Sequence, residues 1–180
     1  MSRRISVEEY LAGEETMRPQ ELDFGVLREP PAPGFHHQIV VGRIYQRLDA
    51  HVRRFDEGRV VLSPVDVILD RERALVVQPD VVFVSASRLA ICTERIQDAP
   101  DLVVEVLSTT NRQHDRAVKV GWYRTYGVRE CWLVDPIACR IEVIDRTASA
   151  DDVRAYNDHQ ILRSSVLPRL RLRPVSVCED

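Results

Sequence analysis

Lysine is almost missing from this 180-residue chain: Lys119 is the only one, and the rest of its 25 basic residues are arginine. A composition this biased uses arginine wherever a positive charge suffices. The position of the one ammonium is therefore informative, because lysine is a compact point charge on a flexible stem whose pKa responds to burial. Long apolar runs are missing as well. No run reaches the roughly 18 residues of a membrane span. The opening Met1-Ser-Arg-Arg leads into acidic and polar residues, not the apolar core of a secretory leader. A cytoplasmic protein with no membrane partner is expected. Cysteine is sparse: Cys92, Cys131, Cys139 and Cys178 show no C-x-x-C spacing, which argues against a zinc knuckle and leaves reduced structural thiols. A phosphate-cradling glycine loop and a Gly-x-Ser-x-Gly elbow are both absent, so neither a P-loop nor a Ser/His/Asp nucleophile has support. Excess positive charge is absent too. The formal net charge of -3 argues against permanent residence on nucleic acid, but it is compatible with an acidic site neutralised by bound cations.

What is present is a substantial core. At 44% hydrophobic residues, residues 1–180 are expected to form one domain. Ser6-Val-Glu-Glu9 has the form of a capping box, predicting a short helix to about Met17. Glu21 to Arg28 reads as a short strand or hairpin turning at Gly25, and Pro30 to Gly34 as a stiff loop. Val41, Ile44, Leu48, Val52 and Phe55 recur at steps of three and four, the pattern of an amphipathic helix ending near Gly58. The period then changes. Residues 59–63, 65–69, 81–84 and 102–107 are β-branched runs suited to strands buried on both faces. A helical pattern returns over 112–126. Cys131-Trp-Leu-Val134 and Arg140-Ile-Glu-Val-Ile144 read as strands around an Asp135-Pro136 turn, and residues 154–156 and 166–172 as edge strands. The fold class is α/β, with a mixed central β-sheet flanked by α-helices.

Two of these runs carry acids. In Asp101-Leu-Val-Val-Glu105-Val-Leu-Ser108, alternation places Val103, Glu105 and Leu107 on one face. A carboxylate inside such a strand is costly to bury unless paired or bound to a metal. In Gln78-Pro-Asp80-Val-Val-Phe-Val84, Pro79 cannot donate a ladder hydrogen bond, which suits a strand start. If the two strands are neighbours, their acids repel and a divalent cation relieves that repulsion. Mg²⁺, with Mn²⁺ as a substitute, takes oxygen ligands and binds one or two carboxylates while keeping several waters. If 112–126 is helical, Asp115, Lys119, Trp122 and Tyr126 form one stripe, and Lys119 faces the protein body. The competing reading is an Asp115–Lys119 ion pair on a solvated face, worth about 0.2–0.5 kcal/mol. Two carboxylates and one amine form a minimal kit for metal-assisted phosphodiester hydrolysis, with catalytic Asp80, Glu105 and Lys119.

The order Pro-Asp, strand with Glu, then Lys resembles the PD-(D/E)XK nuclease superfamily. More closely, residues 78–84, 101–108, Asp115-Arg-Ala-Val-Lys119, Tyr123, Tyr126-Gly-Val and Trp132-Leu-Val-Asp-Pro136 resemble the Uma-type putative restriction endonuclease family, over about residues 6–172. That resemblance implies a restriction-endonuclease-like core. It implies Asp80 and Glu105 as metal ligands, with the Val106 carbonyl completing the protein ligands and Glu21 as an additional one. It also implies His37 as a substrate-contacting or supporting group. The position two beyond Glu105 is Leu107, not Lys; the resemblance shifts that lysine onto the following helix, at Lys119. Ser108-Thr-Thr-Asn111 departs from the Ser-Pro-Ser-Thr turn of the family.

Other polar residues have plainer readings. Asp23 is a weaker site candidate than Glu21, Asp66 caps or lines the cleft, and Asp135 shapes its turn. His36, His51, His114 and His159 show no ligand spacing. Arg43, Arg47, Arg53 and Arg54 decorate the long helix, and Arg112 and Arg116 the next one; phosphate contact competes there with a solvated face. The expectation is a Mg²⁺-dependent endonuclease acting on DNA, acting as a homodimer by analogy with restriction-type enzymes. The alternative is a non-catalytic nucleic-acid-binding or assembly module that keeps a nuclease-like fold.

Overall fold

The computed structural model describes residues 3–13, 16, 18–108, 114–146 and 152–179, with only the backbone described at 114–116. The capping box forms as the sequence predicts: Ser6 Oγ accepts from the Glu9 amide and Glu9 from the Ser6 amide. Helix α1 nevertheless covers only Val7–Leu11, short of the expected Met17. Strands β1 (Glu21–Asp23) and β2 (Val26–Arg28) make the expected hairpin, with Gly25 in the left-handed region at φ 85°.

Helix α2 (Phe35–Phe55) buries Val40, Val41, Ile44, Leu48 and Val52. It ends at Asp56, in the left-handed conformation, two residues before the expected Gly58. Gly58 instead opens β3 (Gly58–Leu62). A Cβ there would lie 2.1 Å from the Val84 carbonyl oxygen, so the close pairing of β3 with β6 (Val81–Ser85) requires glycine.

The main sheet has six strands, in the order β10 (Asp152–Asn157), β9 (Arg140–Asp145), β8 (Glu130–Asp135), β7 (Leu102–Val106), β6, β3. Only β7 and β8 run parallel, joined through α3 (His114–Tyr126); the other pairs are antiparallel. Side chains alternate across it. Val81, Phe83, Leu102, Val104, Val106, Trp132 and Val134 pack toward α2. Val82, Val84, Val103, Cys131 and Leu133 pack on the opposite face, with Tyr123 and Val128.

A second sheet was not legible in the sequence. Strands β4 (Val67–Asp70) and β5 (Leu75–Val77) join the hairpin in the order β2-β1-β5-β4. Its inner residues Val67, Leu69, Leu75 and Val77 share a core with Val82, Val84 and Val103, while Leu22, Ile68 and Val76 pack on Val7 of α1. Residues 166–172 are not the expected strand. Leu167, Leu170 and Leu172 are buried in the α2 core, so that segment closes the core without joining a sheet. A short helix α4 (Val175–Cys178) follows. No helix among the described residues is long and apolar enough to cross a membrane.

One buried acid belongs to this scaffold. Glu130 is fully buried. It accepts hydrogen bonds from Trp132 Nε1 at 2.6 Å and from the Ser165 amide and hydroxyl at 2.7 and 2.8 Å. It thereby ties the edge of β8 to the segment that seals the core. Glu130→Ala strands these donors and is expected to lower unfolding stability by about 2–4 kcal/mol. Urea denaturation checks this, and an unchanged midpoint would remove Glu130 from the scaffold.

Candidate active site

Antiparallel pairing of β6 with β7 sets Val81 against Val104 and Val82 against Val103. Continued by one residue, that register puts Asp80 across from Glu105. Alternation turns both toward the face that carries Val82 and Val103. This is the end of the sheet where β6 begins, after Pro79, and where β7 finishes. Asp80 is held from two directions. Its Oδ2 accepts the Val106 amide at 2.7 Å, and its Oδ1 lies 3.1 Å from Nε2 of His37, in the first turn of α2.

Three further elements converge on Glu105. Lys119 Nζ, from α3, lies 3.3 Å from Glu105 Oε1 and 2.7 Å from Glu21 Oε1. Glu21 is the first residue of β1, and the Gln78 amide donates to its Oε1 at 3.0 Å. Tyr123, one turn after Lys119, donates a short hydrogen bond from its hydroxyl to Glu105 Oε1. Asp80, Glu105, Lys119, Glu21 and His37, far apart in the chain, thus meet in one cluster. Their side chains keep 13–21% of their accessible surface, so the cluster is recessed but reachable from solvent.

The remaining expectations sort by position. Val106 enters through its amide on Asp80. Asp23 pairs instead with Arg28 on the hairpin, at 3.2 Å. Asp66 stands one layer behind, accepting from Tyr10 at 3.0 Å and Gln78 Nε2 at 2.9 Å and paired with Arg95 at 2.9 Å. Asp135 caps its turn by accepting the Ile137 and Ala138 amides. His51 sits at the far end of α2, beside Glu57, while His36 and His159 are exposed. The side chains of His114, Asp115 and Arg116, together with Arg112 and residues 109–111 of the departing turn, lie outside the described residues. Trp122 and Tyr126 are partly buried, Trp122 edge-on to Phe24. Among the described side chains of α3, the fully buried one is Tyr123. Sequence reasoning gave Tyr123 and Gln78 no role. For Tyr123 the available signal was its i+4 spacing from Lys119; for Gln78 the contact is through the backbone, which no side-chain pattern announces.

Comparison with known proteins bears on this arrangement. The model of the Uma2 family, described as putative restriction endonucleases, matches residues 7–175. The chain belongs to the Uma2 family. No curated protein matches it. Among solved structures, a crystal structure described as a putative nuclease belonging to DUF820 from Anabaena variabilis superimposes with a TM-score of 0.83. It covers 97% of each chain at 18% identity. The fold is the restriction-endonuclease-like one expected, here with its small second sheet.

In this Uma2 chain the charges do not balance locally. Glu21, Asp80 and Glu105 face one lysine and one histidine. Burial pushes the Glu105 carboxyl up to about 7; Lys119 counteracts that, and the nearby Asp80 and Glu21 charges reinforce it. Burial alone would lower the Lys119 pKa, but the Glu105 and Glu21 carboxylates outweigh it and hold the ammonium above its ordinary value. His37 behaves alike: burial works downward, and the hydrogen bond and charge of Asp80 lift it. Burial first, and then the Glu105 charge, push the Tyr123 hydroxyl well above its usual range, keeping it a donor.

Among the described residues, no three His, Cys, Asp or Glu side chains are arranged to hold a metal ion. A Mg²⁺ site of two carboxylates completed by waters does not require three. The carboxylates of Glu21, Asp80 and Glu105, gathered in one recessed cluster with excess negative charge, have the oxygen chemistry that suits such an ion.

The sign of the Glu105 shift fixes a pH dependence. Its folded pKa, about 7, lies above the ordinary 4.5, so the native state holds the proton more tightly than the unfolded chain. That stabilisation is full below about pH 4.5 and disappears as pH rises through 7; His37, also raised, acts in the same direction. Metal-free protein is expected to lose on the order of 2–4 kcal/mol between pH 5 and 8, and Glu105→Gln to flatten that slope. Urea titrations in chelator measure both, and parallel slopes would remove Glu105 as the cause.

Proposed function

We propose that this chain is a Mg²⁺-dependent endonuclease that hydrolyses phosphodiester bonds in DNA, a nuclease of the PD-(D/E)XK type. The observation that carries the reading is the ammonium of Lys119, set between the carboxylates of Glu21 and Glu105 beside Asp80. A lysine used only for surface charge does not need two recessed acids from two different sheets.

Asp80 and Glu105 would hold the ion, with the Val106 carbonyl as a further oxygen. When bound, Mg²⁺ supplies Lewis-acid polarisation of the phosphoryl oxygen and a water of lowered pKa. The chain supplies the rest. The Val106 amide and His37 fix the two oxygens of Asp80, so its carboxylate is oriented in advance. Tyr123 donates to one oxygen of Glu105 and so helps to fix that carboxylate. Lys119 carries positive charge into a recessed site, where it offsets charge developing on the phosphate. Glu21 anchors that ammonium and is the acid best placed to orient a water or to ligate as well. His37, hydrogen-bonded to Asp80, would stand beside a phosphate bound there. A homodimer would bring two such sites to the two strands of a duplex.

A second reading, a binding or assembly module without catalysis, draws on the lack of a converged three-residue metal group among the described residues. Metal binding separates the two.

Purified protein with Mg²⁺ or Mn²⁺ is expected to nick plasmid DNA. Asp80→Ala, Glu105→Ala and Lys119→Ala should each reduce the rate by at least about 10²-fold. Normal cleavage by Lys119→Ala would overturn the assigned mechanism. By calorimetry, Mg²⁺ is expected to bind the wild type and release protons near pH 6.5, where Glu105 is still partly protonated. A silent titration together with intact DNA binding would favour the binding module. Tyr123→Phe, which keeps the ring, should weaken Mg²⁺ binding less than Glu105→Ala does.

A further inference from the structure

Outside the carboxylate cluster, the flank of α2 carries an open cavity of about 350 Å³ lined by Arg47, Ile161, Arg171, Arg173 and Ser176. Its arginines arrive by two routes. Arg47 projects beside the buried stripe of α2, between Ile44 and Leu48. Arg171 and Arg173 come from the segment that closes the core. There Leu170 and Leu172 are buried, while Arg171 between them and Arg173 after them are exposed. In an extended backbone that alternation sends residues 171 and 173 to the same side, about 7 Å apart. The segment is fixed in place: the Leu162 amide donates to the Leu172 carbonyl at 2.8 Å, and the Ser176 hydroxyl to the Arg173 carbonyl at 2.7 Å.

Several arginines elsewhere in the fold already have a carboxylate partner. Arg53 is matched by Asp49, Arg71 by Glu8, Arg95 by Asp66 and Arg129 by Asp101. Arg169, in the same segment, is taken up by Glu57 at 2.6 Å and lies over the Phe55 ring. Among the described residues no carboxylate pairs with Arg47, Arg171 or Arg173. Three guanidinium groups gathered at one concavity without a counter-charge repel one another, and an anion relieves that repulsion. Guanidinium forks match phosphate oxygens in geometry as well as in charge.

The cavity also stands in a useful place. Arg47 lies about 15 Å along the α2 axis from His37 at 1.5 Å per residue. A nucleic acid strand advances about 3.4 Å per phosphate, so this axial offset alone corresponds to about four nucleotides. We propose that Arg47, Arg171 and Arg173 form a phosphate-binding site for the nucleic acid backbone, engaging it several nucleotides from the bond to be cut. The assignment of the partner rests on the nuclease reading. The site fixes register on the substrate; it does not touch the reacting atoms.

The test uses the full chain without divalent metal, with anisotropy of a labelled 24-base-pair duplex at several salt concentrations. Arg171→Ala/Arg173→Ala is compared with Arg28→Ala/Arg154→Ala, which removes the same charge from two exposed arginines that have carboxylate partners. The first pair is expected to weaken the duplex about tenfold or more and to reduce the slope of log K against log salt by one to two. The control should stay within about twofold of wild type, and Arg171→Lys/Arg173→Lys should fall between them. Equal losses in the two alanine pairs, or none in the first, would overturn the site. Calorimetry with inorganic phosphate separates the sources. If phosphate binding vanishes in Arg171→Ala/Arg173→Ala while duplex affinity is retained, the cavity serves a free phosphate and the backbone assignment fails. If wild type cleaves neither the duplex nor bis(p-nitrophenyl) phosphate with Mg²⁺, the nuclease reading fails, and the anisotropy series still decides this site.

Discussion

The contact between Lys119 and two carboxylates from separate sheets is the constraint around which the site is organised. Glu21 belongs to the small sheet and Glu105 to the large one, and one ammonium from α3 touches both. At an effective dielectric near 20, unit charges 4 Å apart interact by about 4 kcal/mol. Two like-charged acids brought together without a cation would therefore work against the docking of the sheets. Placed between them, Lys119 turns that repulsion into a tie. The negative charge left over is what the proposed Mg²⁺ would neutralise.

The fold delivers these groups by ordinary means. β6 and β7 pair in a register that sets their two acids opposite each other at the sheet end. The parallel step from β7 to β8 runs through α3, whose buried edge carries Lys119 and Tyr123. Helix α2, held to the opposite face by its valine, isoleucine and leucine stripe, brings His37 to Asp80 at its first turn. Each element has a hydrophobic reason to be where it is, and the polar cluster occupies the rim these packings leave open. The separate acid Glu130 shows the contrast. Fully buried, it has three protein donors and holds the scaffold together, whereas the site acids keep partial access to solvent.

Much of the architecture was legible. Alternating and continuous β-branched runs gave most of the main-sheet strands, and the three-and-four spacing of Val41, Ile44, Leu48 and Val52 gave α2, because burial imposes those periods directly. Asp80, Glu105 and Lys119 stood out because a carboxylate in an apolar strand is costly to bury alone and because the one lysine falls on the helix behind two acid-bearing strands. β5 was not visible: three apolar residues fit strand or loop equally, and only pairing with β1 and β4 decides. Residues 166–172 alternated like a strand, but their leucines bury against the α2 core without a partner strand. The short α1 and the left-handed stop at Asp56 depend on backbone geometry that side-chain spacing does not record.

The sequence by itself determined the secondary elements, the faces they bury and the identity of the charged groups that need a partner, because period and composition are local properties. Tertiary structure alone decided who those partners are. It brought Glu21 from a second sheet, put Tyr123 on Glu105, spent the Val106 amide on Asp80 and gathered Arg47 with Arg171 and Arg173. These are contacts between segments far apart in the chain. Their distances follow from how two sheets and two helices pack around shared cores, and no spacing within a single segment encodes that.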